Sequence, residues 1–244
     1  MTSIKINNLR KEFKDVVAVK GLNLEIEEGE LFALLGVNGA GKTTTIKMLS
    51  TLLAPTSGDA TIYGYSIVNN DDKVKEIIDI SMQETAIARK LTVEENIEFY
   101  AELNGESKEN INTIKHEIIE KFGLESVRQK RTEKLSGGYQ RKVSIALALV
   151  SKPKVLFLDE PTLGLDVLAR RELWKLIKEL QGKMTIILTT HYMEEAEMLA
   201  DRIGIMKGGE LLFVGTKEEL FNQTNKTSVE EAFIKIASGG DLDE

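Results

Sequence analysis

The stretch that most constrains this chain is GVNGAGKTT, Gly36 to Thr44. It satisfies GxxxxGK[ST] at every fixed position, with an apolar run, Leu31 to Gly36, leading in and a helical pattern, TTIKMLSTLL, leading out. That strand–glycine loop–helix context is what a phosphate-binding loop requires. Gly36, Gly39 and Gly41 allow a tight turn that points backbone N–H groups inward, those of Asn38 and Ala40 included. The emerging helix adds its unpaired N-terminal donors and the positive end of its dipole. Lys42 is expected to reach the β- and γ-phosphates, Thr43 to hold Mg²⁺ and Thr44 to donate to the α-phosphate. The loop reads as a nucleotide site.

Length and charge narrow the context. A chain of 244 residues suits one α/β domain with an inserted subdomain, or two small ones. Its 39 acids against 32 bases give a net charge of −7, which speaks against a nucleic-acid partner, since a phosphate-backbone surface normally carries a basic excess. With no cysteine, disulfides and thiolate metal sites are excluded. No apolar stretch approaches the ~20 residues that span a bilayer, and MTSIKINNLRKEF lacks the apolar core of a signal peptide. The expectation is a soluble protein that reaches any membrane through a partner.

Along the chain, KINNLRKEF and the alternating LNLEIEEGE read as antiparallel edge strands. PTSGDATIYG is a turn and a strand, and Ile77 to Met82 is a short buried strand ending at Gln83. The texture from about Lys90 to Pro153 is helical. Thr92 and Glu95 form a capping box, Ile111, Ile114, Ile118 and Phe122 make one amphipathic face stopped by Gly123, and a third helix is expected from SGGYQ to Pro153. Sheet texture then returns: VLFLDE and MTIILTTH are continuous apolar runs, as in central parallel strands. Between them lies an amphipathic helix, and after them a hairpin around Gly208-Gly209, one or two helices and an acidic tail, SGGDLDE, expected to fray.

Two further elements carry chemistry. VLFLDE places Asp159 at the carboxyl end of a buried strand, where ligand crevices of open α/β sheets lie, so it can hold Mg²⁺ directly or through water. Glu160 beside it is placed to orient and deprotonate an attacking water. LSGGYQ, Leu135 to Gln140, opens a helix with Ser136, Gly137 and Gly138, a second anion cradle of hydroxyl and backbone N–H groups.

With the loop, VLFLDE and LSGGYQ in this order, the chain resembles an ABC-type ATPase from about Ile4 to Gly215. The resemblance implies a P-loop NTPase core of α/β class with a mostly parallel sheet, an antiparallel β subdomain and an inserted α-helical subdomain. Residues 1–86 and 154–222 would form the ATP-binding core, 87–153 the helical signature subdomain, and 223–244 a C-terminal helix and tail. It implies that Phe13 stacks on adenine, that Gln83 senses Mg²⁺ and the attacking water, that Asp166 in TLGLD lies at a dimer interface, and that His191 contacts the γ-phosphate. Val37, Tyr139 and Leu147 depart from commoner family choices. ATP and Mg²⁺ are the implied cofactors. Two copies of the chain, or this chain with a sister ATPase, would sandwich two ATP molecules, with Ser136, Gly137 and Gly138 donating to the γ-phosphate in trans. The phrasing of GDATIYGYSI and TLGLDVLARRELWKLI resembles the multidrug, sodium and antibiotic exporter branch, whose membrane permease is a separate chain on whose inner face the ATPase sits. A soluble non-transport ABC ATPase, such as the iron–sulfur assembly type, and a nucleotide-binding scaffold without turnover remain open alternatives.

Overall fold

The computed structural model describes residues 1–239; the expected acidic tail lies, from residue 240 on, outside the described residues. The chain begins with a long hairpin, β1 (Thr2–Phe13) and β2 (Val16–Glu27), followed by β3 (Leu31–Leu35) and α1 (Lys42–Leu49). Next come β4 (Ser57–Ile62), β5 (Tyr65–Ser66), α2 (Asp71–Lys75) and β6 (Ile78–Ser81). Three helices follow, α3 (Val93–Leu103), α4 (Lys108–Phe122) and α5 (Gly137–Ala148). The chain returns through β7 (Val155–Asp159), α6 (Val167–Leu180), β8 (Thr185–Thr190) and α7 (Met193–Leu199). It closes with β9 (Arg202–Lys207), β10 (Glu210–Gly215), α8 (Lys217–Thr224) and α9 (Val229–Ser238).

These elements form two sheets, an antiparallel one in the order β2-β1-β4-β5 and a larger one in the order β10-β9-β3-β8-β7-β6. In the larger sheet every pairing is parallel except β10 with β9. The central strands β3, β7 and β8 are buried at every position, as their unbroken apolar sequence requires of strands covered on both faces. Alternate side chains of one strand therefore enter two cores. Phe32, Phe157 and Ile187 pack with α1, α2 and the antiparallel sheet, whereas Ala33, Leu156, Leu158 and Leu188 pack towards the other helices. In β1 and β2 the alternation is one-sided: Ile4, Ile6, Leu24 and Ile26 are buried, while Lys5 and Glu25 pair outside at 2.7 Å.

Local signals set the helix ends. Thr92 caps α3 by accepting from Glu95 N, and the Glu95 carboxylate accepts from Thr92 N, the expected capping box. Gly123 ends α4 in the left-handed conformation. The third helix stops at Ala148 instead of running to Pro153, because the chain must reverse into β7; Lys152 turns it at φ 52°, and Val150 is buried in that turn rather than on a helix face. The segment 87–153 contains α3, α4 and α5, and the expected boundary at 222 falls inside α8, which Thr216 caps and which packs on α9.

Candidate active site

The carboxyl ends of β3, β7 and β8 meet beneath the amino end of α1, and a cleft of about 450 Å³ opens there. The turn that makes it possible is glycine-dependent at two places. Gly41 caps α1 at φ 106°, where a Cβ would lie 2.4 Å from the Ala18 carbonyl oxygen. Gly36 packs so closely that a Cβ would lie 2.3 Å from Met206 O. Its N–H donates to Thr190 O at 3.2 Å, so this glycine anchors the loop to β8 rather than facing the cleft. Asn38, Gly39, Ala40, Gly41, Thr43 and Thr44 line the cleft. The first-turn N–H groups of α1 have no intrahelical acceptor.

Lys42 is 5% exposed, and its ammonium donates to Gly36 O at 2.7 Å and Val37 O at 3.2 Å. It also lies 3.2 Å from Glu160 Oε1. The other oxygen of Glu160 is 2.6 Å from His191 Nδ1, so the carboxylate accepts from the Nδ1–H tautomer. Glu160 is 6% exposed and holds φ 48°, a backbone conformation uncommon outside glycine. The Glu160 N–H donates to Thr189 O at 3.1 Å, with Thr189 Oγ1 at 3.2 Å, which keeps the left-handed turn in place. The result is a Lys–Glu–His chain across the cleft, buried at Lys42 and Glu160 and half-buried at His191.

Asp159 is fully buried. Its Oδ1 accepts from Thr43 Oγ1 at 3.0 Å and from Thr189 Oγ1 at 2.6 Å, while Oδ2 is buried without a hydrogen-bond partner among the described residues. A buried carboxylate oxygen left over beside a hydroxyl and a phosphate loop suits a hard cation with oxygen ligands, and Mg²⁺ fits that donor set. Gln83, just past β6, lines the same cleft.

Other expected residues stand apart. Phe13 is 44% exposed at the end of β1, with Lys11 Nζ 5.1 Å from its ring centre, and is not among the residues lining the cleft. Ser136 caps α5 by accepting from Tyr139 N, and Ser136 and Gly137 are exposed away from the cleft. Asp166 caps α6 through Leu168 N at 2.9 Å and Ala169 N at 3.0 Å. Sequence reasoning missed Glu195, which is fully buried on α7 and accepts from Trp174 Nε1 at 2.9 Å. Burial pushes its carboxyl above the ordinary glutamate range; the Glu160 charge adds to this and the indole donation opposes it. A glutamate repeated along MEEAE gives no sign of which copy turns inward.

Fold and cleft together define a P-loop nucleotide-binding enzyme. The family model described as ABC transporter matches residues 19–163, more than half of the chain. The linearmycin resistance ATP-binding protein LnrL of Bacillus subtilis (strain 168) is 38% identical over 95% of this chain and 77% of the relative. The phospholipid-transporting ATPase ABCA3 of Homo sapiens is 44% identical over 88% of this chain, which spans 13% of that protein's length. A dimeric ATP-binding cassette solved in a post-hydrolysis state with ADP and phosphate superposes with a TM-score of 0.79 at 28% identity, covering 87% of this chain and 98% of that one. The chain belongs to the ABC transporter family and is one of its ATP-binding, ATP-hydrolysing domains.

Proposed function

We propose that this chain is the ATPase subunit of an exporter, working as a pair of cassettes on the inner face of a membrane beneath a separate permease. The observation that carries the catalytic part is the buried Glu160 carboxylate held between Lys42 and His191 next to Asp159. The export part rests on the resistance protein to which most of the chain aligns. No described helix is long and apolar enough to cross a membrane, so the reading needs the permease to supply the path.

In this reading the loop N–H groups and Lys42 bind the ATP phosphates. A γ-phosphate arriving at Lys42 competes with Glu160 for the ammonium and leaves the carboxylate to a water. Glu160 takes a proton from that water as its oxygen bonds to the γ-phosphorus, and the bond from phosphorus to the β–γ bridging oxygen breaks to release ADP. His191 orients the carboxylate and the γ-phosphate; Gln83 positions the water. Thr43, Asp159 and Gln83 would hold Mg²⁺, which supplies charge neutralisation on the β- and γ-phosphate oxygens. Ser136, Gly137, Gly138 and Asp166 act on the nucleotide of the partner copy, and Phe13 stacks on adenine. The segment 87–153 carries the signature turn as a unit.

A tagged Glu160→Gln variant, loaded with ATP in its native cell and isolated from gently solubilised membranes, tests the whole reading. Recovery with a stoichiometric multi-span membrane protein is expected. Recovery in the soluble fraction with soluble partners alone would overturn the exporter assignment while leaving the ATPase chemistry in place.

A further inference from the structure

Arg141 is the charged residue that the apolar helix α5 ought not to bury. It is 5% exposed, and among the described residues it makes no ion pair within 4.0 Å. Its guanidinium forks onto two consecutive backbone carbonyls, donating at 2.7 Å to Met82 O and at 2.7 Å to Gln83 O. A buried cation is costly to desolvate, and here the compensation comes from the peptide groups that lead into Gln83. One turn further along α5, Ser144 Oγ lies 2.9 Å from Ser81 Oγ, and past the helix Ser151 Oγ donates to Asp79 Oδ2 at 2.9 Å. Four hydrogen bonds from Arg141, Ser144 and Ser151 thus fasten α5 and the turn after it to β6 and the two residues that follow, from Asp79 to Gln83.

The same helix begins at Ser136 and Gly137. Arg141, five positions past the capping Ser136, therefore links an exposed anion cradle to a residue lining the chain's own nucleotide cleft. We infer that Arg141 is a positioning residue that couples the two ATP sites of a dimer, by moving Gln83 of one site whenever the signature turn of the same chain engages the nucleotide of the other. The single turn of helix between them transmits a displacement of its amino end rigidly. The forked contact fixes both position and orientation of the carbonyls, which a single ammonium cannot do.

The inference rests on the proposed roles of Gln83 and of the signature turn, so its test carries a control for them. ATP turnover, ATP binding and melting temperature would be measured on the purified wild-type chain, Arg141→Met, Arg141→Lys and Glu160→Gln. Wild type is expected to show a Hill coefficient above 1. Arg141→Met is expected to lose that cooperativity and to drop kcat roughly 5- to 150-fold, the range of ordinary coupling between sites, with ATP affinity kept within about 2-fold. Arg141→Lys should keep the wild-type melting temperature and still show reduced kcat and cooperativity; if the methionine variant does not fold, this variant decides. Unchanged kcat and Hill coefficient in Arg141→Lys would overturn the inference, as would a kcat loss that only tracks lost folded protein. If Glu160→Gln turns over ATP like wild type, it is the site assignment that fails instead.

Discussion

The amino ends of α1 and α5 are built from the same materials, glycines and a hydroxyl residue, yet they sit in opposite surroundings. At α1 the donors face a walled cleft with a buried ammonium 3.2 Å from one carboxylate and a second carboxylate whose Oδ2 has no hydrogen-bond partner among the described residues. At α5 Ser136 and Gly137 are exposed, and among the described residues the Ser136 side chain only caps the helix. Both ends favour anions through unpaired N–H groups and the helix dipole. Only the first has the charged groups that phosphoryl chemistry needs. A helix end of the second kind is useful when another surface brings the phosphate to it, and the proposed pairing of two copies would supply that surface.

Substitutions can break that contrast at either end. Glu160→Gln should retain ATP binding and slow turnover by about 10² or more, because the positioned base is lost; steady-state phosphate release checks this, and wild-type turnover would remove Glu160 from the mechanism. Lys42→Ala should weaken ATP binding about 10- to 100-fold, the worth of one charge-assisted phosphate contact, and would also strand Glu160 without its cation. Isothermal titration decides it, and unchanged affinity would count against Lys42. Gly41→Ala should destabilise the fold by about 1–3 kcal/mol, since φ 106° and the Ala18 carbonyl both oppose a Cβ. Denaturant unfolding measures that directly.

The smallest effect concerns pH. Burial raises the Glu195 carboxyl above its ordinary value, so its favourable contribution to folding is complete below that value and is lost as pH rises through the folded one. Glu195→Gln keeps an acceptor for Trp174 and removes the titration. Its melting temperature relative to wild type should therefore climb as pH rises above about 4.5. A difference that stays constant with pH would mean Glu195 is not perturbed by its burial.

Much of this was legible in the sequence because the signals are local. The loop, the Thr92 capping box, Gly123 and the apolar strands ending at Asp159 each reside within a few neighbouring residues. What escaped depends on distant partners. Arg141 reaches carbonyls 58 and 59 positions away, and Glu195 meets an indole 21 positions away. A charge among the apolar residues of GGYQRKVSIALALV was the one available hint for Arg141. The five residues of α2 and seven of α7 are too short to show a helical period, and the apolar run past Ala148 reflected burial in a turn rather than more helix.

The most direct test of the paired-cradle account is the mass of ATP-loaded Glu160→Gln in solution, measured by light scattering with and without a second change, Gly138→Asp. The account predicts twice the monomer mass with ATP, monomer with ADP, and monomer with ATP in the double variant, which adds a negative charge to the signature turn and a Cβ 3.0 Å from Ala169 Cβ. A variant that binds ATP and remains monomeric, or a double variant that still dimerises, would contradict it.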